Sequence, residues 1–283
     1  MDVKSRVVVI TGASGGIGAA LARSLAPEGA RLVLAARRQR ELDDVTDAVR
    51  ALGASGALAV KADVSRRDQV FDLRDRALEE FAQIDVWVNN AGRGITRSVL
   101  ELTDEDVDEM IAVNVKSAIY GMQAAVPHFI ERGEGHLINI SSFLGRVPIA
   151  SFRSVYSASK AALNSLTANL RMDLGAYPGI HVSLIMPGVV TTDFARNVRG
   201  EVRPPINAGP PGAGPMNAQT PEEVATRIAE VIHNPVAELY TNPALADIAR
   251  RYYADVAAFE RAAARQPALP NKPSTDSRLE TRA

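Results

Sequence analysis

The chain opens on a short apolar run, Arg6-Val7-Val8-Val9-Ile10, with no polar residue between its valines. Uninterrupted runs of this length suit strands buried on both faces, whereas half-buried strands alternate. Similar runs recur at residues 31–36, 58–62, 85–89, 136–140, 181–186 and 237–241, and each predicts a strand. Between them the period changes. Over residues 68–81, Val70, Leu73, Ala77 and Phe81 fall near one side of a helix, and Leu163, Leu166, Leu170 and Leu174 form a second stripe. That stripe is expected in the core or at a subunit interface, and Trp87, mid-strand, is expected in the core. Strands alternating with helices imply a parallel sheet with helices on both faces, since right-handed crossovers place helices on each side. The predicted fold class is therefore α/β, a single-domain doubly wound parallel sheet of the Rossmann type.

Two stretches break this rhythm. Residues 196–220 hold five prolines and four glycines, a density that predicts a loop without regular structure. Loops this long are usually functional or disordered, so a substrate lid is the expectation and plain disorder the alternative. Thr220-Pro221-Glu222-Glu223 then predicts a helix start, with Thr220 as N-cap. A helical run is expected over 245–264, and a disordered tail over 266–283. Residues 1–265 form one expected domain.

The first strand runs directly into Thr11-Gly12-Ala13-Ser14-Gly15-Gly16-Ile17-Gly18, followed by a helix-favouring stretch from Ala19. Strand, glycine-rich turn and helix start, in that order, make a dinucleotide-binding arrangement. Its glycines allow close backbone approach to a pyrophosphate, and the helix N-terminus offers free N–H groups and a positive dipole end. A tight turn without ligand is the bland alternative.

Tyr156 and Lys160 lie four residues apart, a spacing that puts both on one helix face with Cβ atoms about 5–6 Å apart. A free tyrosine, with a pKa of about 10, exchanges protons poorly near neutrality. A neighbouring cation favours the phenolate. Lowering that pKa by about three units takes on the order of 4 kcal/mol, within reach of an ammonium and an oxidised nicotinamide acting together.

Composition limits the alternatives. Net charge is −1, so no electrostatic case exists for nucleic acid or an anionic membrane. The chain has no cysteine, which excludes disulfides and thiolate ligands. His128, His136, His181 and His233 lack metal-ligand spacing, so no metal is expected. No run approaches the roughly 18 apolar residues of a membrane span, and no apolar signal precedes the first strand. A cytoplasmic location is expected.

In these motifs the chain resembles the short-chain dehydrogenases/reductases. The family's Thr-Gly-x-x-x-Gly-x-Gly pattern falls on Thr11, Gly12, Gly16 and Gly18, and its Asn-Asn-Ala-Gly on Asn89, Asn90, Ala91 and Gly92. Its helix asparagine falls on Asn114, its serine on Ser142, its Tyr-x-x-x-Lys on Tyr156 and Lys160, and its Pro-Gly with following threonine on Pro187, Gly188 and Thr192. All six occur in family order across residues 5–195. One departure is visible: Ser142 stands fourteen positions before Tyr156, where the family usually has thirteen, which puts an extra residue in the loop 145–154.

The resemblance implies hydride transfer between a nicotinamide and a ketone or secondary alcohol. Tyr156 would act as general acid or base, Ser142 would bond the substrate oxygen, and Lys160 would lower the Tyr156 pKa and hold the nicotinamide ribose. Asn114 would fix a water that links Lys160 to solvent. Gly12, Ser14, Gly16, Ile17 and Gly18 would hold the pyrophosphate, Asp63 and Val64 the adenine, Asn90 the ribose, and Pro187, Gly188, Val190 and Thr192 the nicotinamide side. NADP is the expected cofactor and NAD the less favoured one. Ala36 stands where an NAD site places a carboxylate, and Arg37 with Arg38 follows it. Arg37 could pair a 2′-phosphate bidentately, although both arginines could be solvated charges, and Gly15 is not the basic residue many NADP users carry.

Phe143, Leu144, Ile149, Phe152 and Phe194 flank the motifs and suggest an apolar substrate pocket, with Arg93 or Arg153 the cations nearest to it. Partners beyond a small carbonyl or alcohol are expected to be copies of the chain itself, as homodimer or homotetramer, as in the family. A dinucleotide-sensing regulator without turnover is the rival from another class. Such proteins usually lose the tyrosine or the lysine, and this chain has both.

Overall fold

A computed structural model describes residues 2–192, 199–200 and 218–264. The seven apolar runs form one parallel sheet, from β1 (Val7–Thr11), β2 (Arg31–Ala36), β3 (Gly56–Lys61), β4 (Val86–Asn89), β6 (Gly135–Ile140), β7 (Ile180–Met186) and β9 (Glu238–Tyr240). Its strand order is β3-β2-β1-β4-β6-β7-β9. A small parallel pair, β5 (Ile95–Thr96) with β8 (Arg199–Gly200), lies apart from it.

Successive residues of each strand serve opposite faces, which explains why the runs are continuously apolar. Val8 and Ile10 of β1, with Leu32 and Leu34 of β2, pack under α1 (Gly16–Leu25), α2 (Gln39–Ala51) and α7 (Pro221–His233). Val7, Val9, Val33 and Trp87 face the other way, against α3 (Arg67–Phe81), α5 (Ser117–Arg132) and α6 (Ser154–Asp173). Each fully buried aliphatic side chain contributes roughly 1.5–3 kcal/mol, so both layers hold the sheet. Leu163 and Leu174 are buried in the second layer, and Leu166 and Leu170 pack against it. The expected stripe thus serves the protomer's own core.

The strand order reverses between β1 and β4, so the loops after these strands diverge and leave a crevice at their C-terminal ends. Every expected strand is found, and α3 covers the expected 68–81. Thr220 caps α7 as expected, its hydroxyl accepting from Glu223 N while the Glu223 carboxylate accepts from Thr220 N.

Three expectations change. Asn114 does not sit in a regular helix: a π-helical turn, Ala112–Lys116, joins α4 (Asp104–Ile111) to α5. The helical run over 245–264 divides into α8 (Ala244–Ala254) and α9 (Val256–Ala264). Asp255 leaves helical geometry at φ −154° and its carboxylate accepts from Ala258 N at 2.8 Å, so it caps α9 and ends the preceding helix. Residues 199–200 form strand β8 within the segment expected to lack regular structure. At the other end of that segment, Gln219 exchanges backbone bonds with Val189 and Thr191. The rest of the expected lid, with Phe194, and the expected tail 266–283 lie outside the described residues. Among those residues, no helix is long and apolar enough to cross a membrane.

Candidate active site

The crevice is a cavity of about 570 Å³ that reaches from the glycine turn and the end of β2 to Ser142, Tyr156 and Lys160. Of the residues expected to bind cofactor or catalyse, all but Gly18 and Asn114 line it. Those two lie behind its wall, Gly18 against Asn90 and Asn114 against Arg93.

The glycine turn is built by close approach. Gly12 has φ +69°, and a Cβ there would lie 2.9 Å from Ala91 Cα. A Cβ at Gly18 would lie 2.6 Å from the Asn90 amide nitrogen. Asn90 in turn donates to Thr11 O at 2.7 Å, while Thr11 Oγ1 accepts from the backbone N–H groups of Asn90 and Ala91. The Asn90 side chain therefore locks the turn to the end of β4. The first-turn N–H groups of α1 have no intrahelical partners, and they open onto the cavity beside Gly15, Gly16 and Ile17. Thr192 stands next to them, since a Cβ at Gly16 would meet its methyl group at 3.5 Å.

These features fit the phosphates of a dinucleotide: a backbone concavity at a helix N-terminus that side chains would fill. The far end is basic. Arg38 donates to Ser14 Oγ and Ser14 O at 3.1 and 3.2 Å, so it lies against the glycine turn, and it pairs with Glu41 at 3.3 Å. Arg37 is exposed at the same rim. The structure thus ties Arg38 to the turn, where sequence reasoning placed the first contact on Arg37. Asp63 is occupied by Ser65, whose N and Oγ donate to it at 3.0 and 2.7 Å.

At the other end, Ser142 follows β6 and its Oγ accepts from Leu144 N at 3.2 Å, as cap of the turn Phe143–Gly145. Its hydroxyl also hydrogen-bonds the Tyr156 phenol. Ser141 is turned away, its hydroxyl bonded to Asn164 Oδ1 and Lys160 O, which leaves Ser142 as the serine of the site. The longer loop does not displace it. Val147, in that loop, is fully buried with Phe143 under Leu245, Ile248 and Ala249 of α8. Tyr253 donates to Arg146 O at 3.0 Å. The chain after β9 therefore supports the loop that carries Ser142, and Leu245 also abuts Gly188.

Tyr156 and Lys160 share one face of α6, as expected. Burial pushes Tyr156 above its usual value, opposed by the Ser142 hydrogen bond and by the positive charge of Arg153. Lys160 Nζ, 5.9 Å from the Tyr156 ring centre, donates to Ile140 O at 2.9 Å. Burial lowers its own pKa to about 8. Asn114 Oδ1 accepts from Arg93 N at 2.8 Å, and its amide donates to Arg93 O and Ser159 Oγ at 2.9 and 3.0 Å. A Cβ at Gly92 would lie 3.3 Å from Asn114 Oδ1 and 3.5 Å from Lys160 Nζ, so both groups meet at this glycine. The π-turn widens the helix at the residue that must reach there; such turns cluster at functional sites.

Phe143, Leu144, Ile149 and Phe152 line the cavity around Ser142, as the sequence suggested. Val113 and the Ile140 carbonyl were missed, the first because an apolar helix residue looks like core and the second because backbone acceptors have no sequence signature.

Comparison with known proteins agrees with this geometry. The sequence model of the short chain dehydrogenase family matches residues 6–203. An uncharacterized oxidoreductase of Staphylococcus epidermidis is 35% identical over 190 residues, 67% of this chain and 80% of that protein. A short chain dehydrogenase/reductase from Burkholderia phymatum, solved in complex with NAD, superposes with a TM-score of 0.81 at 31% identity, covering 96% of this chain and 99% of that one. An alcohol dehydrogenase from Thermococcus sibiricus, complexed with 5-hydroxy-NADP, gives 0.72 at 28% identity, covering 84% and 96%. With six motifs in order, a doubly wound sheet and a match over most of its length, this chain belongs to the short-chain dehydrogenase/reductase family of oxidoreductases.

Proposed function

We propose that this protein is an NADP(H)-dependent oxidoreductase, of the carbonyl reductase or alcohol dehydrogenase type, that interconverts ketones and secondary alcohols. The observation that carries the reading is the continuity of one cavity, from the α1 N-terminus and Arg38 to the Ser142–Tyr156 pair. Structural neighbours were solved with NAD or with 5-hydroxy-NADP. The preference for NADP rests on Ala36 in place of a carboxylate and on Arg37 and Arg38 at the rim. A bound nicotinamide supplies or takes up the hydride.

The chain's own residues do the rest. Gly12, Ser14, Gly16 and Ile17 bind phosphate through backbone and helix dipole, with Gly18 keeping α1 close to Asn90. Asp63 and Val64 flank the adenine, Asn90 the ribose, and Pro187, Gly188, Val190 and Thr192 the nicotinamide. Ser142 donates to the substrate oxygen where negative charge develops. Tyr156, kept protonated near neutrality by burial, passes its proton to that oxygen as the carbonyl carbon accepts the hydride, and solvent restores it. In oxidation the phenol first gives its proton to solvent, and the phenolate then takes the proton of the alcohol. Lys160, 4% exposed and beside Gly92, is placed to bond the nicotinamide ribose and to carry protons toward Asn114.

A substrate lid over residues 196–220 stays part of the proposal, on the proline and glycine content of that stretch. A homodimer or homotetramer in the cytoplasm completes the reading, on family resemblance. A screen of carbonyl compounds followed by NADPH absorbance tests it. Tight NADP binding without turnover of any carbonyl or alcohol would support the regulator reading instead.

A further inference from the structure

Among the described residues, the charged side chains lining the cavity are five cations, Arg37, Arg38, Arg93, Arg153 and Lys160, and one anion, Asp63. Four of the cations have work. Arg37 and Arg38 stand at the end of β2, Arg93 is ion-paired with Glu109, and Lys160 bonds Ile140 O beside Tyr156. Arg153 is left over. It stands at the N-cap of α6, three residues before Tyr156, so both side chains project from the same turn. Its guanidinium lies 5.8 Å from the centre of the Phe152 ring and donates from Nη1 to Ile95 O at 3.2 Å.

Among the described residues no carboxylate pairs with it. Burial presses its pKa below the usual value, opposed by the Tyr156 phenol and by no carboxylate among the described residues. Half-buried cations ordinarily find a counter-ion, and a guanidinium has five donors in a fork suited to carboxylate. The backbone is fixed as well: Arg153 N donates to Ala150 O, Arg97 N to Phe152 O, and Ser154 Oγ to Arg97 O. The cation is therefore held at the substrate end, between Tyr156 and an apolar wall of Leu144, Ile149 and Phe152.

We propose that Arg153 is the anion-recognition group of the substrate pocket, and that the preferred substrates are oxo acids, with their hydroxy acids, of apolar body. The carboxylate pairs with Arg153, the chain between carboxylate and carbonyl lies along Ile149 and Phe152, and the carbonyl oxygen meets Ser142 and Tyr156. The carboxylate is unchanged in the reaction: the carbonyl carbon gains a hydride and the oxygen a proton. This inference rests on the hydride-transfer reading above.

The test compares wild type with Arg153→Gln and Arg153→Lys, on matched oxo-carboxylates and their methyl esters with increasing spacing between carbonyl and acid. A charge-assisted pair corresponds to about 10–150-fold in affinity. For at least one spacing, wild type should show a KM for the acid at least about tenfold below that for the ester. Arg153→Gln should abolish the difference in KM, with any change of kcat from the lost charge beside Tyr156 shared by acid and ester, and Arg153→Lys should restore part of the difference. Ester preferred at every spacing, or equal loss on acid and ester in the variant with the KM difference kept, overturns the inference; equal loss of that kind means that Arg153 serves only the Tyr156 proton or the fold. Calorimetric titration of the NADP-bound protein with the matching hydroxy-carboxylates and hydroxy-esters separates the two readings. Carboxylate binding that depends on Arg153, without turnover, supports the site and removes the hydride-transfer reading; no such binding removes the site.

Discussion

Lys160 donates its ammonium to the carbonyl oxygen of Ile140 at 2.9 Å, across from the Tyr156 ring on the same helix face. This lysine is thus seated on β6 by a backbone acceptor, and no carboxylate among the described residues pairs with it. Its charge is buried, and that has a cost in stability.

Lys160 has a pKa of about 8 in the folded chain against 10.5 unfolded. Between these values the unfolded chain holds the extra proton, so folding stability rises with pH from 8 to 10.5, and the full cost, about 3 kcal/mol, is present below 8. Lys160→Met should therefore abolish turnover yet raise urea stability at pH 7, by roughly 1–3 kcal/mol. A variant less stable than wild type at pH 7 would show that the bond to Ile140 outweighs the burial of charge.

Tyr156→Phe keeps the ring and removes only the hydroxyl. The variant should lose a factor of about 10²–10⁴ in kcat, with cofactor affinity unchanged. Wild-type turnover in steady-state assays with a ketone substrate would remove Tyr156 from the proton transfer.

Arg38 lies on Ser14 at the glycine turn, and Arg37 is exposed beside it. A guanidinium already held in place gives up less side-chain freedom on binding. Arg38→Ala should weaken NADPH binding by about tenfold or more, with a smaller effect on NADH and a smaller loss from Arg37→Ala. Calorimetry with both cofactors decides it, and equal affinities for NADH and NADPH in wild type would end the claim.

His136 is buried in β6, its Nε2 hydrogen-bonded to Ser183 Oγ at 2.8 Å, and burial lowers its pKa to about 3 from 6.5. Between pH 6.5 and 3 the unfolded state binds the extra proton, so stability falls as pH drops through that window. At pH 5 the loss should be about 2 kcal/mol. His128, also lowered by burial, acts in the same direction. Urea midpoints at pH 7.5 and 5 should differ less in His136→Gln than in wild type. An identical pH dependence in the two proteins would show that other groups govern acid sensitivity.

Much of this protein was legible in its sequence. Apolar runs and helical periods are local, so each strand, the glycine turn, the Thr220 cap and the shared face of Tyr156 and Lys160 could be read from spacing alone. Contacts between segments distant in the chain could not. That Lys160 bonds Ile140 O, that Arg38 rests on Ser14, that Asn114 sits in a π-turn against Arg93 and that α8 braces the Ser142 loop all depend on how crossovers stack helices on the sheet. The same holds for Arg153. Its place before Tyr156 was plain in the sequence, but its burial and its lack of a counter-ion among the described residues follow from the walls that packing builds around it. Periodicity specifies which side of an element faces inward, whereas the burial of a charge is set by what the other elements bring there.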